Sequence, residues 1–340
     1  MLFALKGTLM ITKILLGIVA VIALLVLGLV GYIQMSWDKK YDLPLSDLKS
    51  STDSAVIARG KYLVTGPAHC GHCHVKTIDE MIRRDKGEDL PIQGGVEFAM
   101  GPLGSIHPSN LTPDKETGIG RFSDGQLFRF LRHAVKHDGT GTISVMMPFQ
   151  NMSDDDLIAM VSYLRSMPAV HNEVPEPKYT FMGKAIRTFA PPFRPVLDPK
   201  PPAAAPAQAP TKERGEYLAR YVANCYGCHT NFDHASFEQL GEDFAGGAEF
   251  EPFPGIGEPD VWHRSPNITP HKDGVLAKFP TAESFVARMR TGRALPGSPM
   301  PWGPFSRMEE ADLIAIWTFL NSLAPVDYKV EETAFKKTKT

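Results

Sequence analysis

The chain has 340 residues, of which 36 are basic and 38 acidic, so its formal net charge is −2, and 43% of its residues are hydrophobic. That balance argues against a nucleic-acid partner, which would call for a basic face. The length suits two domains of ordinary size, and only four cysteines are present.

The first predicted element is apolar. Ile14 to Ile33 carry no charge over 20 residues, enough for a helix to cross a hydrocarbon core of about 30 Å. Residues 1–37 are therefore expected to form an N-terminal membrane anchor in the lipid bilayer, with Trp37 suited to the interface. A cleaved signal peptide is the rival, but its apolar region would be shorter, and Tyr32 to Trp37 offers no small-residue cleavage site. Lys6 and Lys13 precede the span and should stay cytoplasmic, which sends the rest of the chain to the far side; Lys39 and Lys40 weaken that bias without reversing it.

Residues 50–197 read as a first helical unit with long loops. A helix from about Asp53 to Leu63 leads to Cys70-Gly71-His72-Cys73-His74. A Gly/Pro-rich stretch from Gly94 to Pro108 and the turn Asn110-Leu111-Thr112-Pro113 follow. Ser123 with Gln126 forms a capping-box pattern opening a helix to about Lys136, with Leu127, Phe130, Leu131 and Ala134 on one face. Met147-Pro148 precedes a last helix, Ser153 to Ser166, whose Leu157, Met160, Val161 and Leu164 recur at helical spacing. Strand signals are weak throughout.

Residues 198–211, rich in proline and alanine, predict a stiff extended linker, with a loop packed against both units as the alternative. Residues 212–328 then repeat the first unit. Glu213-Arg214-Gly215-Glu216-Tyr217-Leu218 answers Ala58-Arg59-Gly60-Lys61-Tyr62-Leu63, and Cys225-Tyr226-Gly227-Cys228-His229 answers the first cysteine pair. Asn267-Ile268-Thr269-Pro270, Met300-Pro301 and Asp312-Leu313-Ile314-Ala315 continue the series in the same order. The two units are a duplication.

Both cysteine pairs are C-x-x-C-H, the attachment site for c-type haem. Positions i, i+3 and i+4 share one face of a helical turn, so two thiols can bond the porphyrin while the adjacent imidazole reaches its iron. Two covalently bound haem c groups are expected, on Cys70 and Cys73 and on Cys225 and Cys228, with His74 and His229 as proximal iron ligands. A four-cysteine zinc site or a redox dithiol is the alternative, but neither asks for histidine after both pairs. Met147 and Met300 occupy equivalent loops and are the candidate distal ligands, with Met146 a competitor one residue away. His107 and His263 nearly match between repeats and are the distal alternatives. The Asn-x-Thr elements could bond haem propionates or neighbouring backbone; they also fit a glycosylation pattern, which is discounted.

The series C-x-x-C-H, Asn-Leu-Thr-Pro with Thr117-Gly118-Ile119-Gly120-Arg121-Phe122, Met-Pro-Phe, Met152-Ser153-Asp154-Asp155-Asp156-Leu157 and Tyr163-Leu164-Arg165-Ser166 resembles the cytochrome c subunits of bacterial membrane-bound alcohol, aldehyde and gluconate dehydrogenases. The second repeat departs from it: His271-Lys272-Asp273-Gly274 lacks the Gly-Ile-Gly step, and Trp302 stands in for Phe149. The resemblance implies class I cytochrome c folds whose irons are held by His74 with Met147 and His229 with Met300; members commonly have three such domains and attach differently, whereas this chain reads as mainly α, an N-terminal transmembrane helix followed by two tandem class I cytochrome c domains. The resemblance also implies a non-catalytic electron carrier on the periplasmic side of the bacterial cytoplasmic membrane. Its partner would be a dehydrogenase catalytic subunit, and its acceptor would lie in the respiratory chain. A haem subunit of a terminal oxidase, an isolated anchored shuttle and a dihaem peroxidase are the alternatives.

Overall fold

A computed structural model describes residues 2–144, 147–233, 238–253 and 255–337. The chain is predominantly helical. It opens with α1, Leu2–Ser36, in which Met10–Ser36 is long and apolar enough to cross a membrane, and the residues of that stretch are almost all exposed.

In the first repeat α2 spans Ser54–Thr65, with the Asp53 carboxylate accepting from the Ala55 and Val56 amides. α3 covers Ile78–Asp85, a segment for which no helix is expected from the sequence. α4, Asp124–His133, starts at the expected Ser123/Gln126 capping box and stops earlier than predicted, because Ala134 turns into the left-handed region at φ 56°. α5, Asp154–Ser166, is capped by Ser153 as its sequence suggests. α6, Phe181–Phe189, follows with Thr180 as its cap.

The second repeat keeps counterparts of α2, α4 and α5 but, among the described residues, none of α3 or α6. α7, Lys212–Tyr217, runs on through a wider π turn, Leu218–Val222, towards α8, Cys225–His229. α9 is Ala282–Arg290, α10 is Trp302–Ser306, and α11, Glu310–Asn321, closes the repeat. α10 alters the expected alignment of the aromatic residues. Trp302 keeps the backbone place of Phe149, its amide donating to the Met300 carbonyl as that of Phe149 does to Met147, while Phe305 takes the buried place, its carbonyl accepting from the Met308 amide as that of Phe149 does from Met152. Trp302 lies instead under the Arg288 guanidinium, 3.9 Å from ring centroid to cation.

Short strands repeat too. β1 (Phe98–Ala99), β2 (Gly104–Ile106) and β3 (Lys178–Tyr179) form one antiparallel sheet in that order; β4 (Glu249–Phe250), β5 (Val261–Arg264) and β6 (Ala334–Lys336) form the other. In each, the third strand follows the repeat's last long helix and pairs with the second, as Ser105 with Lys178 and Trp262 with Phe335. Two- to four-residue strands carry too little alternation to be read from sequence.

The repeated Arg-Gly-x-Tyr-Leu sequence has a structural reason at each position. α2 crosses α5, and α7 crosses α11, so closely that a Cβ on Gly60 or Gly215 would lie 1.8 or 1.9 Å from the carbonyl oxygen of Ala159 or Ala315. Arginine ties the crossing: Arg59 meets Asp156 at 3.0 and 3.2 Å, and Arg214 meets Asp312 at 2.8 and 3.0 Å. The tyrosines reach the other repeat. Tyr62 donates to Asp312 at 2.6 Å and accepts from the Glu309 amide, while Tyr217 donates to Asp156 at 2.8 Å and accepts from the Ser153 amide. Burial and the facing carboxylates raise both phenol pKa values well above the ordinary range, so both hydroxyls remain donors.

This reciprocal exchange joins the repeats into one continuous apolar core, including Leu63, Phe128, Leu157 and Met160 from the first and Leu218, Phe244, Leu313 and Phe319 from the second. The linker is not a free spacer. Ala205 packs on that core, the Pro206 carbonyl accepts from Arg214, and the Lys200 amide donates to Asn151. The segment thus touches both repeats, and its Pro206 carbonyl satisfies a third donor of buried Arg214.

Candidate haem sites

The residues before each motif set its orientation. His69 and Asn224, in equivalent places, both adopt left-handed backbone, at φ 41° and 52°. Histidine and asparagine are among the non-glycine residues that enter this region most readily. From there Cys70–His72 makes a 3₁₀ turn, and the His74 amide reaches the Cys70 carbonyl at 3.0 Å, completing one helical turn. α8 gives the second motif the same form.

The first motif borders an apolar cavity that opens to solvent. Cys70, Cys73, His74 and Met147 all line it, together with Leu127, Phe130 and Leu131 of α4 and Met160, Val161 and Leu164 of α5. The apolar face predicted on α4 thus turns to the cavity, while Phe128, off that face, is fully buried in the core. Met147 is held by its own backbone: its carbonyl accepts from the Phe149 amide and from Gln150 Nε2. Met300 has the matching bond, 2.8 Å from the Trp302 amide, and it packs with Cys225 against the shared core. Met146 lies outside the described residues.

His74 Nδ1 is 2.7 Å from the Ser109 carbonyl oxygen, and His229 Nδ1 is 2.9 Å from that of Pro266. A carbonyl only accepts, so each Nδ1 carries the proton and Nε2 keeps its lone pair for a metal. Desolvation lowers both imidazole pKa values, with these carbonyls partly offsetting it, which favours the neutral ligand form. The two carbonyls are functional groups the sequence reading missed; the visible signal was their place directly before the repeated Asn-x-Thr-Pro.

That element is a clasp. Asn110 Oδ1 accepts from the Thr112 amide and hydroxyl, and its Nδ2 donates to the Val170 carbonyl; Asn267 holds Thr269 and the Val326 carbonyl in the same way. Both asparagines are buried, their amides engaged with backbone and neighbouring side chains. His107 and His263 lie outside the lining of the first cavity. His107 Nδ1 bonds the Gly95 carbonyl at 3.2 Å, and His263 is buried on β5.

The sulfurs fit thioether chemistry. Desolvation pushes the half-buried Cys70 and Cys225 up to about 12 and Cys73 up to about 11, while Cys228 is exposed. Reactive dithiols and zinc thiolates want the opposite shift. Nor do three of the four cysteines converge within ligating distance of one another among the described residues. An apolar cavity with two neutral sulfurs, a tautomer-fixed imidazole and a thioether is a donor set that fits haem c.

The repeats also meet at these sites. Asn224 of the second repeat lines the first cavity, and the His69 ring stands edge-on to Phe305 with centroids 5.4 Å apart.

Comparison with known proteins agrees with the resemblance read from the sequence. The chain is 30% identical over 189 residues to the cytochrome c subunit of a quinone-type alcohol dehydrogenase from Gluconobacter oxydans, covering 52% of this chain and 36% of that protein. It is 30% identical over 217 residues to the gluconate 2-dehydrogenase cytochrome c subunit of Pantoea cypripedii, covering 61% and 42%. Against the fructose dehydrogenase cytochrome subunit of Gluconobacter japonicus it is 25% identical over 295 residues, covering 82% and 55%. The chain thus spans roughly a third to just over half of the length of these relatives. No family model matches it.

Proposed function

We propose that the chain is a membrane-anchored dihaem cytochrome c that takes electrons from a dehydrogenase catalytic subunit and passes them to a respiratory-chain acceptor. The relatives named as cytochrome subunits of alcohol, gluconate and fructose dehydrogenases support this role. Cys70 and Cys73 hold one haem and Cys225 and Cys228 the other; His74 with Met147 and His229 with Met300 are the axial pairs. When bound, each haem supplies a one-electron ferrous–ferric couple. The protein contributes ligation from both sides, an apolar wall and a docking surface, and it carries out no substrate chemistry. α1 anchors the chain in the bacterial cytoplasmic membrane, with both repeats on the periplasmic side.

The observation carrying this reading is one cavity that gathers Cys70, Cys73, His74 and Met147, with His74 Nδ1 tied to a backbone carbonyl. Met147→His and Met300→His test it. Each should abolish the sulfur-to-iron charge-transfer band of one haem and lower that haem's midpoint potential. Unchanged band and potential in both variants would refute the axial assignment. Isolation in mild detergent tests the partner: a dehydrogenase catalytic subunit should copurify, and a haem–copper subunit in its place would contradict the proposal.

A further inference from the structure

α6 is rooted on one side and bare on the other. Gly183 packs so tightly on the Gly101–Leu103 turn that a Cβ would fall 2.1 Å from the Leu103 carbonyl oxygen. Arg187 is buried, donates to the Gly141 carbonyl and to Tyr179, and lies over the rings of Trp37, Tyr179 and Phe193. The opposite face presents Phe181, Met182 and Phe189, which are 46%, 54% and 48% exposed. Outside α1, eight large apolar side chains are exposed among the described residues, and three of them sit on this nine-residue helix. Residues 181, 182, 185 and 189 share one helical face, so the exposure is a stripe.

Its position along α1 suggests what covers that stripe. α6 meets α1 only near the end of the apolar stretch: the Phe189 and Tyr32 rings are 6.0 Å apart, Lys184 donates to Gln34, and Lys184 also sits 4.9 Å over the Trp37 ring. The 27 residues from Met10 to Ser36 span about 40 Å, some 10 Å beyond a hydrocarbon core of about 30 Å. Tyr32 stands four residues before Ser36, roughly 6 Å deep along the axis, within the ~5–10 Å at which an interfacial helix buries its apolar face. Tyr32, Trp37 and Phe189 then make an aromatic belt, with Lys184 and Arg194 beside it for lipid phosphates.

We propose that α6 is a second membrane contact, an interfacial helix whose Phe181/Met182/Phe189 face enters the headgroup region of a lipid bilayer next to the point where α1 emerges. The proposal rests on the reading of α1 as a membrane span. It adds a second point of attachment to that of α1, setting the height and orientation of the first repeat over the bilayer. Partners embedded in the same membrane would then meet a fixed face of the carrier.

The test uses the full-length, haem-loaded protein in vesicles of phosphatidylcholine and phosphatidylglycerol. Leu24→Cys, Met182→Cys and Leu240→Cys each supply a single thiol for a nitroxide label, the wild type serving as the unlabelled blank. Accessibility to oxygen and to a water-soluble nickel chelate is then read by electron paramagnetic resonance. Leu24, at mid-span, and Met182 should both favour oxygen and exclude nickel, with an oxygen-to-nickel ratio several-fold above that at Leu240, an exposed site in the second repeat. Nickel reaching Met182 while Leu24 stays in lipid would overturn the proposal and leave the anchor standing. Protection of Met182 from both reagents would also overturn it, since the face would then be covered by protein. Nickel reaching Leu24 would mean that the span itself fails, and the proposal with it.

Discussion

Removing one oxygen atom from either interface tyrosine tests how the repeats are joined, and the two variants are expected to differ. In Tyr217→Phe the Asp156 carboxylate loses a hydrogen bond of about 1.5–3 kcal/mol, and the Ser153 amide, in a residue with no exposed surface, loses its acceptor at a further cost of about 1–3 kcal/mol. The expected destabilisation is about 2.5–6 kcal/mol. In Tyr62→Phe the Asp312 carboxylate keeps both Arg214 bonds, and Glu309 is exposed, so its amide turns to water; the expected loss is about 1.5–3 kcal/mol. Arg59, Asp156, Arg214 and Asp312 form one charge cluster threaded by both tyrosines, so the double variant should deviate from additivity. Urea unfolding of the haem-loaded protein in detergent, followed by far-ultraviolet circular dichroism, measures all three. Losses below about 0.5 kcal/mol in both single variants would refute the claim that this exchange locks the repeats together.

Gly215→Ala should destabilise at or above the upper end of the roughly 1–3 kcal/mol seen for overpacking, because the new Cβ meets the rigid Ala315 carbonyl and no movable side chain; thermal melting checks this, and a wild-type midpoint would contradict it. Asp85 links the repeats through Arg293 at 2.8 Å. Burial would raise its pKa, but the neighbouring His72 and Arg293 outweigh burial and hold the carboxyl below the usual range. Its contribution is therefore complete above the ordinary carboxylate pKa of about 4 and fades as pH falls through the lower folded value. The stability gap between wild type and Asp85→Asn should close as the pH falls into acid; a gap that widens in acid would show the sign to be wrong.

Much of this architecture was legible because the duplication printed it twice. The caps at Ser123 and Ser153, the apolar faces of α4 and α5 and the span in α1 follow from spacing and composition, which are local properties. The proximal histidines and cysteines were equally open, since a covalent cofactor imposes a fixed sequence spacing. The Ser109 and Pro266 carbonyls were not, because backbone groups have no residue signature. The tyrosine exchange was hidden for another reason: Tyr62 and Asp312 stand at opposite ends of the folded units, and no local pattern encodes a partner 250 residues away. The strands were too short to alternate. The division of Phe149's place between Trp302 and Phe305 came from α10, which lengthens the spacing between Met300 and α11 while leaving both motifs intact.

The central claim is two haems covalently held, one by each C-x-x-C-H. Alkaline pyridine haemochrome titration of the purified full-length chain, with thiol counting under denaturing conditions, tests it most directly. Two c-type haems per chain and no free thiol are expected; a colourless protein, one haem per chain, or a reactive thiol pair at Cys70/Cys73 or Cys225/Cys228 would contradict it.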